Sequence, residues 1–228
     1  MMKKIISEMD DSLQDSINSM VYDTKKYSFK SIPKIEISED EWKGFIKPPP
    51  SNTAKSVRED LQELSDITRN RTTEQKAFAL RVDDKVESIF KDYLEKVNLR
   101  YPEKFVDAAW EIYYPLITNI KYYFNRARPQ QLAPKYGIVL DAIVTPSSKT
   151  PSYPSGHSVY GYILESILSE MYPLHITKFE EISEHVGISR KILGIHFQSD
   201  IVAARKVTQF IYPKIRNYLL TNNILYSD

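Results

Sequence analysis

Residues 102–129 read PEKFVDAAWEIYYPLITNIKYYFNRARP, and this stretch decides the class of fold. Phe105, Ala109, Ile112, Leu116 and Ile120 recur at intervals of three and four, which stacks them on one face of a helix from about Pro102 to Arg126. Pro115 is expected to bend that helix, and Pro129 lies beyond its end. The same period continues on both sides. Toward the N-terminus, Val57, Leu61, Leu64 and Ile67 mark a helix after Asn52, and Ala77, Leu80, Val86, Ile89, Phe90 and Leu94 mark one from about Thr73 to a stop at Asn98–Pro102. Toward the C-terminus, Val159, Ile163, Ile167 and Met171 recur every four residues. Thr177 with Glu180 reads as a capping box for a helix that stops at Gly194, and Ile201, Ala204 and Val207 mark a last helix from near Ser199, perturbed by Pro213. Between Pro129 and Pro154 lies one long stretch without helical period, a loop of functional length. Gly137 to Val144 is compatible with an extended run, but nothing pairs with it, so the expected class is all-α, a helical bundle.

Composition agrees. The chain has 228 residues, and its 6 glycines fall far below the usual share of about 7%, which argues against sheet-rich or glycine-loop architectures. It has no cysteine, which excludes disulfide frameworks, thiolate metal sites and cysteine nucleophiles. Lysine plus arginine total 31 against 30 acids, a net charge of +1, so no global field recruits nucleic acid or an anionic membrane. No window holds the ~18 apolar residues of a membrane span, and the start, MMKKIISEMDDSLQ, lacks a secretory apolar core. A soluble, cytoplasmic protein is expected. Residues 1–50 read as an N-terminal arm ending in the Pro48–Pro50 linker, and 51–228 as the helical domain. Three arrangements are open to the arm: packed on the bundle, joined to a second copy in a homo-oligomer, or mobile.

Three segments carry chemistry. In the first, Lys121 and Arg128 are seven residues apart, about 700° of helix, so both project from one face toward a shared anion while Arg126 points elsewhere. The same cations also complement a helix dipole. In the second, Pro154-Ser155-Gly156-His157 starts a helix directly after the loop. Its free N–H groups suit an anion, Gly156 lets the backbone approach closely, and Ser155 serves as cap and donor. The third places Arg190 in a last turn, Gly194 at the exit, His196 in the connection and Asp200 at the next helix start. A carboxylate on the far nitrogen of an imidazole fixes its tautomer and makes it a competent nucleophile. Three cations, a helix N-terminus, two histidines and a carboxylate suit phosphoryl transfer. His175 and His185, outside these segments, read as surface or helix-end groups. Tyr122, Tyr123, Tyr153 and Tyr160 flank the segments, as pocket lining or as ordinary packing.

The three segments together resemble the signature of the type 2 phosphatidic acid phosphatase superfamily, which includes bacterial non-specific acid phosphatases and vanadium-dependent haloperoxidases. Its blocks K-x6-R-P, P-S-G-H and S-R-x5-H-x3-D are present in order: Lys121 with Arg128 and Pro129, Pro154–His157, and Ser189–Arg190 with His196 and Asp200. The resemblance implies that His196 is a nucleophile forming a phosphohistidine, Asp200 orients it, and His157 protonates the leaving group. It further implies that Lys121, Arg128, Ser155, Gly156 and Arg190 bind phosphate, with no metal or cofactor and a small phosphate ester as substrate. Vanadate is the cofactor under the alternative reading, a haloperoxidase; a non-catalytic phosphate-binding protein is the third. Many members are membrane lipid phosphatases, so the missing span leaves lipid specificity without support. Leaving-group specificity is expected from the 129–154 loop and the arm.

Overall fold

The computed structural model describes Tyr22, Ile35, residues 37–224 and Tyr226, with Glu39 described by its backbone alone. Most of the arm at 1–47 therefore lies outside the described residues. The helices are α1 (Glu39–Phe45), α2 (Lys55–Asn70), α3 (Thr73–Asp84), α4 (Glu87–Lys96), α5 (Glu103–Phe124), the short α6 (Pro129–Leu132), α7 (Gly156–Met171), α8 (Ile176–Ile192) and α9 (Gln198–Thr221). Single 3-10 turns occupy Ala133–Tyr136, Pro146–Lys149 and Pro173–His175. Among the described residues there is no strand, and no helix is long and apolar enough to cross a membrane. The all-α expectation holds.

The apolar stripes are the buried faces. Ile112, Leu116 and Ile120 of α5 meet Val159, Ile163 and Ile167 of α7, Phe179, Ile182 and Val186 of α8, and Ala204, Val207 and Ile211 of α9 in one core. Small residues let these helices close on one another. A methyl group at Gly161 of α7 would stand 3.1 Å from Val186, and one at Gly187 of α8 would stand 2.8 Å from Ile201 of α9. The α2 stripe packs elsewhere: Val57, Leu61 and Leu64 cover Ala127, Leu132 and Phe197, so α2 clamps the two connections that follow α5 and α8. Trp42 of α1 packs edge-on to Tyr123 at 5.0 Å, which ties this part of the N-terminal segment to the end of α5.

Three boundaries differ from expectation. The helix expected over Thr73–Asn98 breaks into α3 and α4, with Lys85 extended between them, which leaves the last carbonyls of α3 without helical partners. Thr177 is not a cap. Pro173 starts a 3-10 turn that runs into α8, so His175 is the N-cap residue, its side chain making no capping bond, and Thr177 lies inside the first turn. Pro213, expected to perturb the last helix, lies inside α9, which runs on to Thr221. The helix expected to reach Arg126 ends at Phe124, because Asn125 takes the left-handed conformation (φ 46°) and donates its N–H to the Lys121 carbonyl at 2.8 Å.

Candidate active site

That left-handed residue corrects the account of the first segment. Arg128 is no longer on the α5 cylinder, so the helical rotation does not bring it to Lys121. The chain reverses at Asn125 instead, sending Arg126 inward and placing Arg128 at the cap of α6. Arg128 and Lys121 still converge, both lining one cavity of about 350 Å³ with His196, Gly156 and His157. Lys121 donates to the Pro151 carbonyl at 2.7 Å. Arg128 donates to the carbonyls of Thr150 (2.7 Å), Ile195 (2.9 Å) and Ser147 (3.1 Å), so backbone from both flanking loops holds it in place.

The His196–Asp200 pair forms as expected, with Nδ1 3.0 Å from Asp200 Oδ2. Because a carboxylate accepts, Nδ1 carries the proton and the Nε2 lone pair faces the cavity, 3.1 Å from Arg128 Nη1. Burial, then the Arg128 charge, hold the imidazole well below its usual pKa, and it stays neutral. Asp200 also accepts from the Ser152 hydroxyl and the Phe197 N–H, and its second oxygen takes Arg126 Nη1 at 2.6 Å. Burial alone would raise the Asp200 pKa. The Arg126 charge and the bonds from His196 and Ser152 outweigh it and hold the carboxyl well below the carboxylate range.

Arg126, which the sequence reading directed elsewhere, is thus 2% exposed behind the pair, with its guanidinium 4.2 Å from the Phe197 ring and a further bond to Ser199. Ser152 and Asp83 were missed as well. No spacing rule marks Arg126, since it falls after a helix stop that depends on one asparagine, and Asp83 stands in a plain Asp-Asp pair.

Arg190, fully buried, pairs through Nη2 with Asp83 Oδ1, while its Nε and Nη1 have no partner. Ser147 and Thr145 donate to the same Asp83 oxygen. The break after α3 gives Asp83 a second role: its freed carbonyl accepts from His157 Nε2 at 3.0 Å. A carbonyl cannot donate, so Nε2 holds the hydrogen and Nδ1 is the nitrogen that gains or loses a proton. Burial, reinforced by the Arg190 charge, pushes His157 down to about 3, and a bound anion would draw it back up. Lys121 is held low by the same two causes, burial first and then a neighbouring cation, Arg128.

At the α7 start, Ser155 is the N-cap as expected, its hydroxyl accepting from the Ser158 N–H at 3.4 Å. A methyl group on Gly156 would meet Lys121 Cε at 3.6 Å, an ordinary contact, so what the glycine keeps open is space over Lys121. His185 is exposed and His175 bonds Tyr93 at 2.6 Å; both lie outside the cavity. Of the four flanking tyrosines, Tyr160 lines the cavity, whereas Tyr123 packs on Trp42 and Tyr153 donates to the Lys47 carbonyl. Among the described residues no cluster of acids and histidines could hold a metal ion.

Residues 112–211 match the family model of the PAP2 superfamily. Over 172 residues the chain is 28% identical to a non-specific acid phosphatase of Salmonella typhimurium, covering 72% of this chain and 68% of that one. A 60-residue stretch is 45% identical to a non-specific acid phosphatase of Providencia stuartii, 26% of this chain and 24% of that one. In fold, it is similar to a transmembrane PAP2 type phosphatidylglycerolphosphate phosphatase from Bacillus subtilis (TM-score 0.52, 17% identity, 77% of this chain and 91% of that one). A bacterial vanadium-dependent iodoperoxidase is similar too (TM-score 0.58, 19% identity, 76% and 52%). Residues 112–211 are thus similar to the PAP2 superfamily in matched model, in the order of the motifs and in fold.

Proposed function

We propose that the protein is a metal-independent phosphatase that hydrolyses phosphate esters through a phosphohistidine on His196. The observation that carries this reading is the orphaned Nε and Nη1 edge of Arg190, whose Nη2 reaches Ser147 of a cavity also lined by Lys121, Arg128 and two neutral imidazoles. Buried guanidinium N–H groups without an acceptor are costly even where the cation is paired at its other edge, and a phosphate dianion offsets that cost. Lys121, Arg128, Arg190, the Ser155 hydroxyl and the Gly156 N–H at the α7 start bind the phosphoryl oxygens. His196 Nε2 attacks phosphorus, and the bond to the leaving oxygen breaks. His157 Nδ1, protonated once the anion is bound, gives its proton to that oxygen. Asp200 holds the Nδ1 proton of His196 and stabilises the positive ring. Water then attacks the phosphohistidine, with neutral His157 taking its proton, and inorganic phosphate leaves.

Vanadate, a trigonal-bipyramidal mimic of the transition state, is expected to inhibit, and a chelator is not. The His196→Ala variant should lose turnover of an aryl phosphate by at least about 10³-fold at unchanged helical content. Unaltered turnover would sink the reading, and halide oxidation by the vanadate-loaded protein would replace it with the peroxidase one.

A further inference from the structure

A phosphoryl group does not fill a cavity of about 350 Å³, and the chemistry of this one changes from its buried end to its exposed end. The buried end holds Lys121, Arg128 and His196. The wall beyond it is aromatic on its helical side, and Pro146, Ser147 and Thr150 of the 129–154 loop complete the lining, as the sequence suggested for that loop. Trp110, Tyr113 and Tyr114 share one face of α5 at i, i+3 and i+4, and Tyr160 of α7 joins them. Trp110 stacks on Tyr114 (centroids 5.0 Å apart, planes 20° apart) and is edge-on to Tyr113 at 5.3 Å and Tyr160 at 5.2 Å. Trp110 and Tyr114 remain 41% and 51% exposed. A core would have buried them; here they leave a broad aromatic surface against the cavity. Asp84 and Glu87 line the same cavity, with Asp84 exposed, so the cationic end gives way to an acidic one.

Building on the phosphatase reading, we infer that the substrate is a monophosphate ester whose leaving alcohol bears a planar aromatic ring and no second phosphate. The ring lies along Trp110 and Tyr114 while the ester phosphate reaches the buried cations. A further phosphate would stand near Asp84 and Glu87, where the lining among the described residues offers no cation, so the site selects against di- and triphosphates by repulsion. Stacking acts in ground state and transition state alike, and the preference appears in KM more than in kcat.

The test compares esters with the same primary alkoxide leaving group. AMP against ribose 5-phosphate isolates a nucleobase, and 2-phenylethyl phosphate against ethyl phosphate isolates a simple aryl ring. Whichever pair shows the larger ratio identifies the source of the ring. At least one ring-bearing ester should exceed its ring-free partner in kcat/KM by about tenfold, within the range that stacking on an aromatic side chain supplies. AMP should likewise exceed ADP by about tenfold or more. In Trp110→Ala the ring preference should shrink to within about threefold, and Trp110→Phe should keep it. Tyr114→Ala, at a more exposed position, gives a second reading should Trp110→Ala fold poorly. Equal turnover of ring-bearing and ring-free esters, or a preference unchanged in both alanine variants, overturns this inference and leaves the phosphatase reading standing. No turnover of any of the five compounds overturns both.

Discussion

Arg126→Met tests whether the buried cation behind Asp200 organises the site. The substitution keeps an unbranched side chain of similar reach but deletes the 2.6 Å contact to Asp200 Oδ1, the bond to Ser199 and the guanidinium over Phe197. Removing one partner of a buried ion pair costs about 3–5 kcal/mol. Asp200 keeps the Phe197 N–H, the Ser152 hydroxyl and His196 as donors, which places the expected loss near the lower end, about 3 kcal/mol. For a chain of this size that lowers Tm by about 6–12 °C. Asp200 also changes as an acid. Its low folded-state pKa contributes stability above the unfolded carboxyl pKa, and that contribution is lost as pH falls through the folded pKa. Without the Arg126 charge, burial pushes the Asp200 pKa up, so the acid-induced loss begins at higher pH in the variant. Thermal melts from pH 7 down to pH 4 read both effects. The activity readout is kcat for an aryl phosphate, expected to fall by about 10–100-fold as Asp200 loses its anchor, with a smaller change in KM. A double-mutant cycle with Asp200→Asn should show coupling of at least about 1.5 kcal/mol. Melting within a degree of the parent and additive effects with Asp200→Asn would refute the argument that Arg126 acts through Asp200.

Asp83→Ala leaves Arg190 buried without any carboxylate, so a loss of about 3–5 kcal/mol is expected at pH 7, partly recovered by millimolar inorganic phosphate; denaturant melts with and without phosphate check this. Gly194→Ala forces a side chain into φ +70° with its Cβ 2.9 Å from Thr68 Cγ2, and should cost about 1–3 kcal/mol in a thermal melt. In the parent protein, His157 and His196 are held neutral while the unfolded chain protonates both below about pH 6.5. Stability is therefore full above that pH and falls as pH drops toward 3, by up to about 1.4 kcal/mol per unit for each histidine. Inorganic phosphate should oppose the fall, because a bound anion favours the protonated rings; melts at pH 7 and pH 4.5 measure it.

The sequence by itself determined the helices with strong periodicity and singled out the groups proposed to meet the phosphate. The stripes of α2, α5, α7 and α9 are local properties of a 3.6-residue period, and they persist because each is the buried face of its element. Lys121, Arg128, Ser155, His157, Arg190, His196 and Asp200 were legible because their spacings are fixed by short stretches of chain. Where a boundary depends on one residue's dihedrals the reading failed: Asn125 ends α5 two residues early and turns Arg126 inward, and the break after Asp84 frees the Asp83 carbonyl for His157. Three things were decided by the tertiary structure alone: the support of Asp200 by Arg126, the clamp of Asp83 on Arg190, and the aromatic wall that faces the phosphate cradle. The first two join residues 74 and 107 positions apart, and the wall sets Trp110 of α5 beside Tyr160 of α7, so each depends on how distant elements pack together. Periodicity says which face of a helix is apolar, but only packing determines whether an aromatic of that helix fills a core, as Phe105 does, or lines a cavity, as Trp110 and Tyr160 do.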